Sequence, residues 1–367
     1  MEIKAILMVG AGHGHLYAIK RIASLVRKGC TVRVINASRY HYYSGMGPGM
    51  LGRLYRPEDI RFDIEDMVLS AGGDFIEDVV ELIDPVQQVV ITASGRKVEY
   101  DILSCNLGSI VRDPFGAGTL DAVYTVKPIK NLQLLREKLE ELPAGTRLKA
   151  VIAGGGPAGV EVAANLKQLA GQQGLEAEVI LVTAGTVLEG FPVKAVRKTG
   201  KRLKSLGVLV MEHRSITGIN DKNVFFKDED PLPYDFCVMA TGIVPPPVFS
   251  RSGLDTGPDG GLAVNNCLQA MQYHGILGAG DCIYFTPRPL GKAGVFAVRQ
   301  GPVIFNNIQA LAGERPLKPF RPQKKYLLIM NLAGVGVAAR GKLACVGKIW
   351  FKMNDMIDRR YTRKIIE

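Results

Sequence analysis

One short pattern occurs twice in this chain and leaves few folds open to it. Lys4–Gly12 reads KAILMVGAG and Lys149–Gly156 reads KAVIAGGG; each is an apolar run of strand length that breaks into glycines. A helical spacing of apolar residues follows in both places, over Leu16–Val26 and Val160–Leu169. Each leads to a second β-rich run, Thr31–Asn36 and Glu178–Thr183. The closing pieces repeat too. Tyr100-Asp101 precedes an apolar run ending at Gly108-Ser109, and Tyr234-Asp235, 134 residues later, precedes one ending at Ala240-Thr241-Gly242. Strand, tight turn, helix and strand written twice predict an α/β fold of two Rossmann-like domains with parallel sheets. The pattern assigns 1–112 with 245–320 to a discontinuous first domain and 113–244 to the second. Residues 321–367 are left as a C-terminal segment of strands and a helix.

Composition agrees with this reading. A chain of 367 residues is long enough for two cores, and 47% hydrophobic against 22% charged residues excludes wholesale disorder. The six cysteines (30, 105, 237, 267, 282 and 345) have no framework spacing. They read as free thiols in a reducing compartment, so a cytoplasmic protein is expected. No secretory signal fits, because the glycine turn already begins at Gly10. The longest apolar stretch, Tyr326–Ala339, has 14 residues and is interrupted by Asn331, Gly334 and Gly336. It is too short to span a bilayer and reads as paired strands.

The second glycine loop, Gly154-Gly155-Gly156-Pro157-Ala158-Gly159, satisfies G-x-G-x-x-G in full. Gly154 allows the tight turn, Gly156 lets a pyrophosphate approach the backbone, and Gly159 lets the helix lie close to the strand. The helix N-terminus then offers unpaired N–H groups to the anion. The first loop, Gly10-Ala11-Gly12-His13-Gly14-His15, has His15 at the third glycine. Looser helix packing is expected there, partly compensated by Gly14. Two histidines without further ligands do not make a metal site, so no metal is expected. The acid that binds a ribose at the end of the second strand is absent from both copies. Asn36 stands in one, still able to hydrogen-bond a hydroxyl, and Thr183 stands in the other. Without a carboxylate a 2′-phosphate is not rejected, so NADH and NADPH both stay open.

With these residues the sequence resembles the two-dinucleotide flavoprotein superfamily of pyridine nucleotide-disulfide oxidoreductases, which includes glutathione reductase, type II NADH dehydrogenase and sulfide:quinone oxidoreductase. The resemblance covers nearly the whole chain. It implies FAD on the first unit, at Gly10, Gly12, His13, Gly14, Asn36 and Gly108. It implies NAD(P)H as co-substrate on the second, at Gly154, Gly156, Pro157, Gly159, Thr183 and Gly242. The family's late FAD motif, a glycine-rich strand ending in Gly-Asp, matches Ile276–Asp281 and implies a role for Gly280 and Asp281 beside the ribityl or phosphate region. Tyr43–Met50 and Lys292–Gly301 are similar to the flavoprotein domain sometimes fused to selenide, water dikinase, a branch that resembles type II NADH dehydrogenases. The tail from Trp350 to Arg363, with Asp358-Arg359-Arg360, is similar to it as well. This likeness adds Met46, Pro48, Gly49, Lys292 and Ala293 to the FAD contacts.

Disulfide reductases of the superfamily carry two close cysteines just after the first βαβ unit. Here that stretch, Tyr42–Leu51, holds none, and no two cysteines form a C-x-x-C pair. Electrons then have no redox disulfide to leave through. Cys105 and Cys282 lie near nucleotide turns and read as buried thiols. Hydride transfer between two cofactors needs position and electrostatics rather than a protein nucleophile. Glu161 matches the Glu of the type II dehydrogenase pattern G-G-G-P-x-G-V-E, which sits near the nicotinamide; the plainer reading is a first-turn acid favoured by the helix dipole. Ala297 and Gln300 take the place of the helix start that lines the quinone pocket in those enzymes, with Arg299 added and the first Gln missing. The expected function is an FAD-dependent NAD(P)H dehydrogenase with a quinone-like acceptor. Two alternatives stand beside it: a soluble oxidoreductase of sulfur or selenium species, of the sulfide:quinone oxidoreductase type, and a flavin-carrying protein whose redox state governs partner binding.

The formal charge of +11 is uneven. Gly301–Glu367 holds 13 Lys and Arg against four Asp and Glu. A second basic run, Lys194, Arg197, Lys198, Lys201, Arg202 and Lys204, has helical spacing and reads as a solvated face. In the tail, Val346, Ile349, Trp350, Met353, Met356, Ile357, Tyr361 and Ile365 recur at three- and four-residue steps. Lys348, Lys352, Asp355, Arg359, Arg363 and Lys364 fall largely on other faces. That pattern predicts a basic amphipathic helix within 343–366 that makes a peripheral contact with the inner face of a membrane, or packs on the first domain or on a second copy in a homodimer. No base-reading module accompanies the charge, so nucleic acid is not expected. The cofactor assignment is checked directly. The purified protein should be yellow, and heat denaturation should release FAD rather than FMN; a colourless protein that FAD cannot reconstitute would remove it.

Overall fold

The computed structural model describes residues 4–341 and 343–366. Two five-stranded parallel sheets carry the molecule. The first runs in the order Ile276–Gly278, Ile102–Cys105, Ala5–Val9, Thr31–Asn36, Asp74–Glu77, and the second in the order Val123–Thr125, Phe236–Met239, Arg147–Ala153, Glu176–Val182, Val208–Met211. The strand that precedes the glycine turn is central in both. Val9 lies between Ile35 and Cys105, and Ala153 between Val182 and Met239. Strands covered on both faces must be apolar throughout, and Ile6–Val9 and Ala150–Ala153 are buried without a break.

The closing strands do more than the repeat suggests. Beyond its glycine turn each chain segment makes two more residues of strand. Ile110–Val111 and Ile243–Val244 pair with each other, antiparallel, and so tie the two sheets together. The helix after the first turn breaks into His13–Ile19 and Ile22–Val26. Ser24 donates both its N–H and its hydroxyl to Arg21 O at the break, a local bond that competes with the helical ladder. The helix after the second turn, Pro157–Gln172, is continuous and longer than its apolar pattern suggests.

The apolar C-terminal stretch does fold as paired strands. Leu328–Asn331 and Gly336–Arg340 form a hairpin, and Leu343–Gly347 adds a third strand. The tail helix therefore starts only at Lys348 and runs to Ile366, leaving Val346 in a strand. Its inward face differs from the apolar stripe. Asp358, Thr362 and Ile365 are buried, whereas Ile349, Met356 and Ile357 are 73%, 64% and 47% exposed. Tyr361 and Ile365 pack with the core of the first sheet, and Phe351 with that of the second, so this helix spans both. In the basic helix Val193–Leu206, Arg202 is not a solvated charge; it donates to Leu332 O and Ala333 O at the hairpin tip.

A Cβ added at Gly159 would stand 1.9 Å from Gly154 O, whereas one at Gly171 in the same helix meets nothing. Gly159→Ala should therefore cost roughly 1–3 kcal/mol by overpacking. Gly171→Ala should be neutral or stabilise by up to about 1 kcal/mol. Urea midpoints of the two variants check this pair of opposite signs.

Candidate functional site

Both glycine turns sit at the carboxyl ends of their central strands, pressed against the closing strand. Gly10 has φ +80°, and a Cβ there would lie 2.4 Å from Asn106 O; Gly154 has φ +122°, and a Cβ would lie 2.2 Å from Ala240 O. Only glycine meets both conditions. Gly156, by contrast, has open space above it, and the Pro157–Gln172 helix that follows carries no side-chain cap. Its first-turn N–H groups face a gap that a phosphate fits. Gly242 lies at the mouth of the second turn and Gly108 at the mouth of the first, both with positive φ and open space. Thr183 lies against Gly155, whose added Cβ would stand 2.7 Å from its hydroxyl oxygen. The adjacent strand end brings a carboxylate close to this loop: Glu212 Oε1 accepts the Val187 N–H at 2.6 Å.

At the first turn Gly12, Gly14 and Gly280 converge on one side chain that sequence reasoning missed. Added Cβ atoms would stand 1.8, 2.2 and 3.1 Å from atoms of the Asn106 carboxamide. Asn106 Nδ2 is buried and has no hydrogen-bond partner. An unpaired donor inside a cradle of glycines fits an anionic group such as a pyrophosphate. The only signal in the sequence was its position at the end of a closing strand.

His15 does not loosen the first helix. It is fully buried, with one ring nitrogen 2.6 Å from Gly10 O and the other 2.7 Å from Ser104 Oγ, so its side chain fills the space that a third glycine would leave. Gly14 provides the close approach instead, lying against the helix Gly294–Ala312. His13 turns away from His15 and packs between Tyr43 and His41, with ring centroids 5.0 and 5.1 Å apart. Burial and the nearby Lys127 ammonium hold His13 down at about 4, so it is neutral at physiological pH. Asn36 is committed to the turn: Oδ1 accepts from Ala11 N and Nδ2 donates to Ser38 O.

Asp281 has an unexpected partner. Lys127 Nζ donates to its Oδ2 at 2.9 Å and to Ser109 Oγ at 2.6 Å, and Ser109 donates to the same carboxylate. A residue from the second half of the repeat thus reaches the Gly-Asp motif of the first. Lys292 is spent elsewhere, on Asp259 and on Ile283 O, and Ala293 precedes the helix Gly294–Ala312. Gln300 is buried and accepts the Gly280 N–H at 2.7 Å, with Ala297 one turn earlier and also buried. Met46, Pro48 and Gly49 are buried too, but Met46 packs in the core of the second sheet and an added Cβ at Gly49 would meet the Tyr55 ring.

Glu161 is the fifth residue of the second-loop helix, past its first turn, which holds no acid, and it accepts the Asn331 N–H at 2.7 Å. Burial pushes its carboxyl up to about 8, opposed by that N–H and reinforced by Asp358. Cys282 Sγ lies 3.2 Å from Ala279 O and 3.7 Å from Cys105 O. Burial raises both thiols, Cys282 to about 11 and Cys105 well above the ordinary value. Neither is a thiolate at neutral pH.

The family model of the pyridine nucleotide-disulphide oxidoreductases matches residues 4–301. The chain belongs to that family. It is an NAD(P)H-dependent flavoprotein oxidoreductase, with FAD and NAD(P)H as its cofactors. It is 23% identical to the NADH dehydrogenase-like protein YutJ of Bacillus subtilis, over 90% of each chain. It is 23% identical to the demethylphylloquinone reductase NdbB of Synechocystis, over 94% of this chain and 90% of that one. Among solved structures, the sulfide:quinone oxidoreductase of Aquifex aeolicus has the same fold, with a TM-score of 0.81 at 18% identity over 99% of this chain and 91% of that one.

The raised carboxyl at Glu161 has a consequence for stability. Because folding lifts it above the ordinary 4.5, its contribution is full below about pH 4.5 and is lost as pH climbs toward about 8. Glu161→Gln keeps the acceptor for Asn331 without the charge. The variant should match the native protein near pH 5 and gain roughly 2–4 kcal/mol at pH 9, read from urea unfolding at the two pH values.

Proposed function

We propose that the chain passes the reducing equivalents of NAD(P)H by way of FAD to a quinone-like acceptor. The observation that carries this reading is the state of the thiols. Tyr42–Leu51 has no cysteine, and the two at the Gly-Asp motif are buried and protonated. A diffusible acceptor then takes the place of a protein disulfide, which agrees with the likeness to a demethylphylloquinone reductase.

In this reading 1–112 and 245–320 carry FAD, with Gly10, Gly12, Gly14, Asn106 and Gly280 as the cradle of its pyrophosphate. Residues 113–244 carry NAD(P)H on Gly154, Gly156, Pro157 and Gly159, with Thr183 toward the ribose and Gly242 toward the nicotinamide. FAD, when bound, supplies a hydride acceptor that can hand electrons on. The chain aligns the two nucleotides, excludes water and holds a proton on Glu161. A sulfur or selenium species is the second reading. It draws on the closeness of Cys282 to Cys105 and on the likeness of Tyr43–Met50 and Lys292–Gly301 to the flavoprotein domain fused to selenide, water dikinase; sensitivity to thiol blocking would favour it.

Gly156→Val is the clean test of the second loop, because a Cβ there meets nothing within 4 Å. The variant should fold and keep its FAD, yet anaerobic reduction by NADH or NADPH should fall at least about 100-fold, since the side chain occupies the pyrophosphate gap. Native protein reduced under the same conditions should be reoxidised by soluble quinones faster than by disulfides or polysulfides. Fast reoxidation by polysulfide alone would replace the quinone reading with the second one.

The C-terminal helix is read as a peripheral contact with an anionic membrane. No helix among the described residues is long and apolar enough to cross one. The exposed Met356 and Ile357 lie within about two turns of Arg360, Arg363 and Lys364, with the exposed Ile349 nearer the helix start, a pattern that suits an interfacial helix. Because the opposite face is buried, substitution is a better test than truncation. Native protein should sediment with anionic vesicles in low salt and be released in high salt, and Ile349→Asp with Met356→Asp should abolish sedimentation without lowering Tm.

A further inference from the structure

The C-terminal helix carries a buried carboxyl that no step described so far uses. Asp358 is 6% exposed. Its Oδ1 accepts from the Tyr43 hydroxyl at 3.1 Å and its Oδ2 from Asn354 Nδ2 at 2.8 Å. Both partners are neutral. The nearest arginine, Arg359, is turned to Asp355 at 2.8 Å instead. A buried carboxylate whose two hydrogen-bond partners are both neutral is costly.

The groups on either side of Asp358 form a line. On the inner side the Tyr43 ring lies 5.0 Å from His13 at the first glycine turn and 5.2 Å from Tyr361. On the outer side Asp355, one helical turn away, lines an open groove of about 780 Å³ together with Lys20, Met356, Arg359, Arg360, Arg363 and Lys364. Tyr55 hydrogen-bonds to Asp355 and also feels Asp358. The titratable and charged groups that face Asp358 are therefore Tyr43, Tyr55, Asp355 and Arg359, with Glu161 on the Pro157–Gln172 helix and Tyr361 and His13 beyond Tyr43.

We propose that Asp355, Asp358 and Tyr43 conduct a proton from the open groove to the flavin site. The proposal rests on the reading of an NAD(P)H–quinone reaction above. That reaction takes up one proton from the medium: NAD(P)H + H⁺ + quinone gives NAD(P)⁺ + quinol. In the transfer, Tyr43 passes its hydroxyl proton toward the flavin site beside His13, for the O–H bond of the quinol, and takes one from the Asp358 carboxyl, which is reprotonated from the groove by way of Asp355. No electrons move along this line; one O–H bond breaks and one forms at each member. Burial, aided by Asp355 and opposed by the Tyr43 hydroxyl, lifts the Asp358 carboxyl to about 7, so it can both hold and release a proton at neutral pH. Asp358 acts through Tyr43 and is a positioning residue in this sense.

The test compares native protein with Asp358→Asn and Tyr43→Phe. In infrared pH titration, native protein should show a protonated-carboxyl band lost near pH 7, beside the Glu161 band lost near pH 8. The band lost near pH 7 should be missing from Asp358→Asn and present in Glu161→Gln. With a soluble quinone, native kcat should fall as pH rises through neutrality. Asp358→Asn and Tyr43→Phe should lower kcat about 10-fold, with a flat pH profile for Asp358→Asn and an unchanged KM for NAD(P)H. An Asp358→Asn protein that keeps the native band, or the native kcat and pH profile, would overturn the relay while leaving the quinone reading intact. Native protein with no quinone turnover would overturn both, and that failure is visible before any variant is made.

Discussion

The rest of the structure depends on how closely two backbone turns approach two neighbouring strands. Gly10 and Gly154 each bring their α-carbon against the carbonyl that ends the closing strand, Asn106 O in one case and Ala240 O in the other. That contact fixes where the closing strand stops, and so where the chain turns away at Gly108 and Gly242. Beyond those turns the two chain segments meet, and Ile110–Val111 pairs with Ile243–Val244. The crossing between the sheets is thus a consequence of the same contact that shapes each nucleotide loop.

The seam between the sheets is held by residues that belong to neither glycine fingerprint. Lys127 reaches from the second half of the chain to Asp281 and Ser109. Arg136 donates to Met50 O and Tyr55 O, and Asn165 donates to Asn331 O, so the segment after the first βαβ unit and the C-terminal hairpin are both fastened to the second sheet. The helix Lys348–Ile366 then packs across both cores. Burying side chains such as Ile365 and Met330 contributes about 1.5–3 kcal/mol each, enough to explain why the C-terminal segment docks at all. The acids on the inward faces of this seam, Glu161 and Asp358, take their hydrogen bonds from neutral groups: the Asn331 N–H for one, Tyr43 and Asn354 for the other. Burial favours both in the neutral form.

Much of this was legible in the residues. Alternating strands and helices, the two glycine runs and the matched closing pieces determined the α/β class and the two parallel sheets, because each rests on local spacing. The complete G-x-G-x-x-G loop folds as read, since glycine is required there by φ and by contact within a few residues. Apart from the local break of the first helix at Arg21–Ser24, the departures are at long range. His15 looked like a defect in the first loop, but Ser104, 89 residues away, gives its ring a partner. The tail's apolar stripe was read as meeting a membrane, the first domain or a second copy, but the helix buries the polar Asp358 and Thr362 beside Ile365 and leaves Ile349, Met356 and Ile357 exposed.

The sequence by itself thus determined the repeated unit, the two sheets and the family, because periodicity and glycine chemistry act within a few residues of one another. Only the tertiary structure decided which side chains share a site. Asn106 in the first cradle, Lys127 on Asp281, the nearness of Cys105 to Cys282, and the line from Asp355 through Asp358 to Tyr43 join residues up to 315 positions apart. Such contacts leave no periodic trace. They are set by the register of parallel strands and by the angle at which the last helix crosses the seam, and those are fixed by the packing of whole cores.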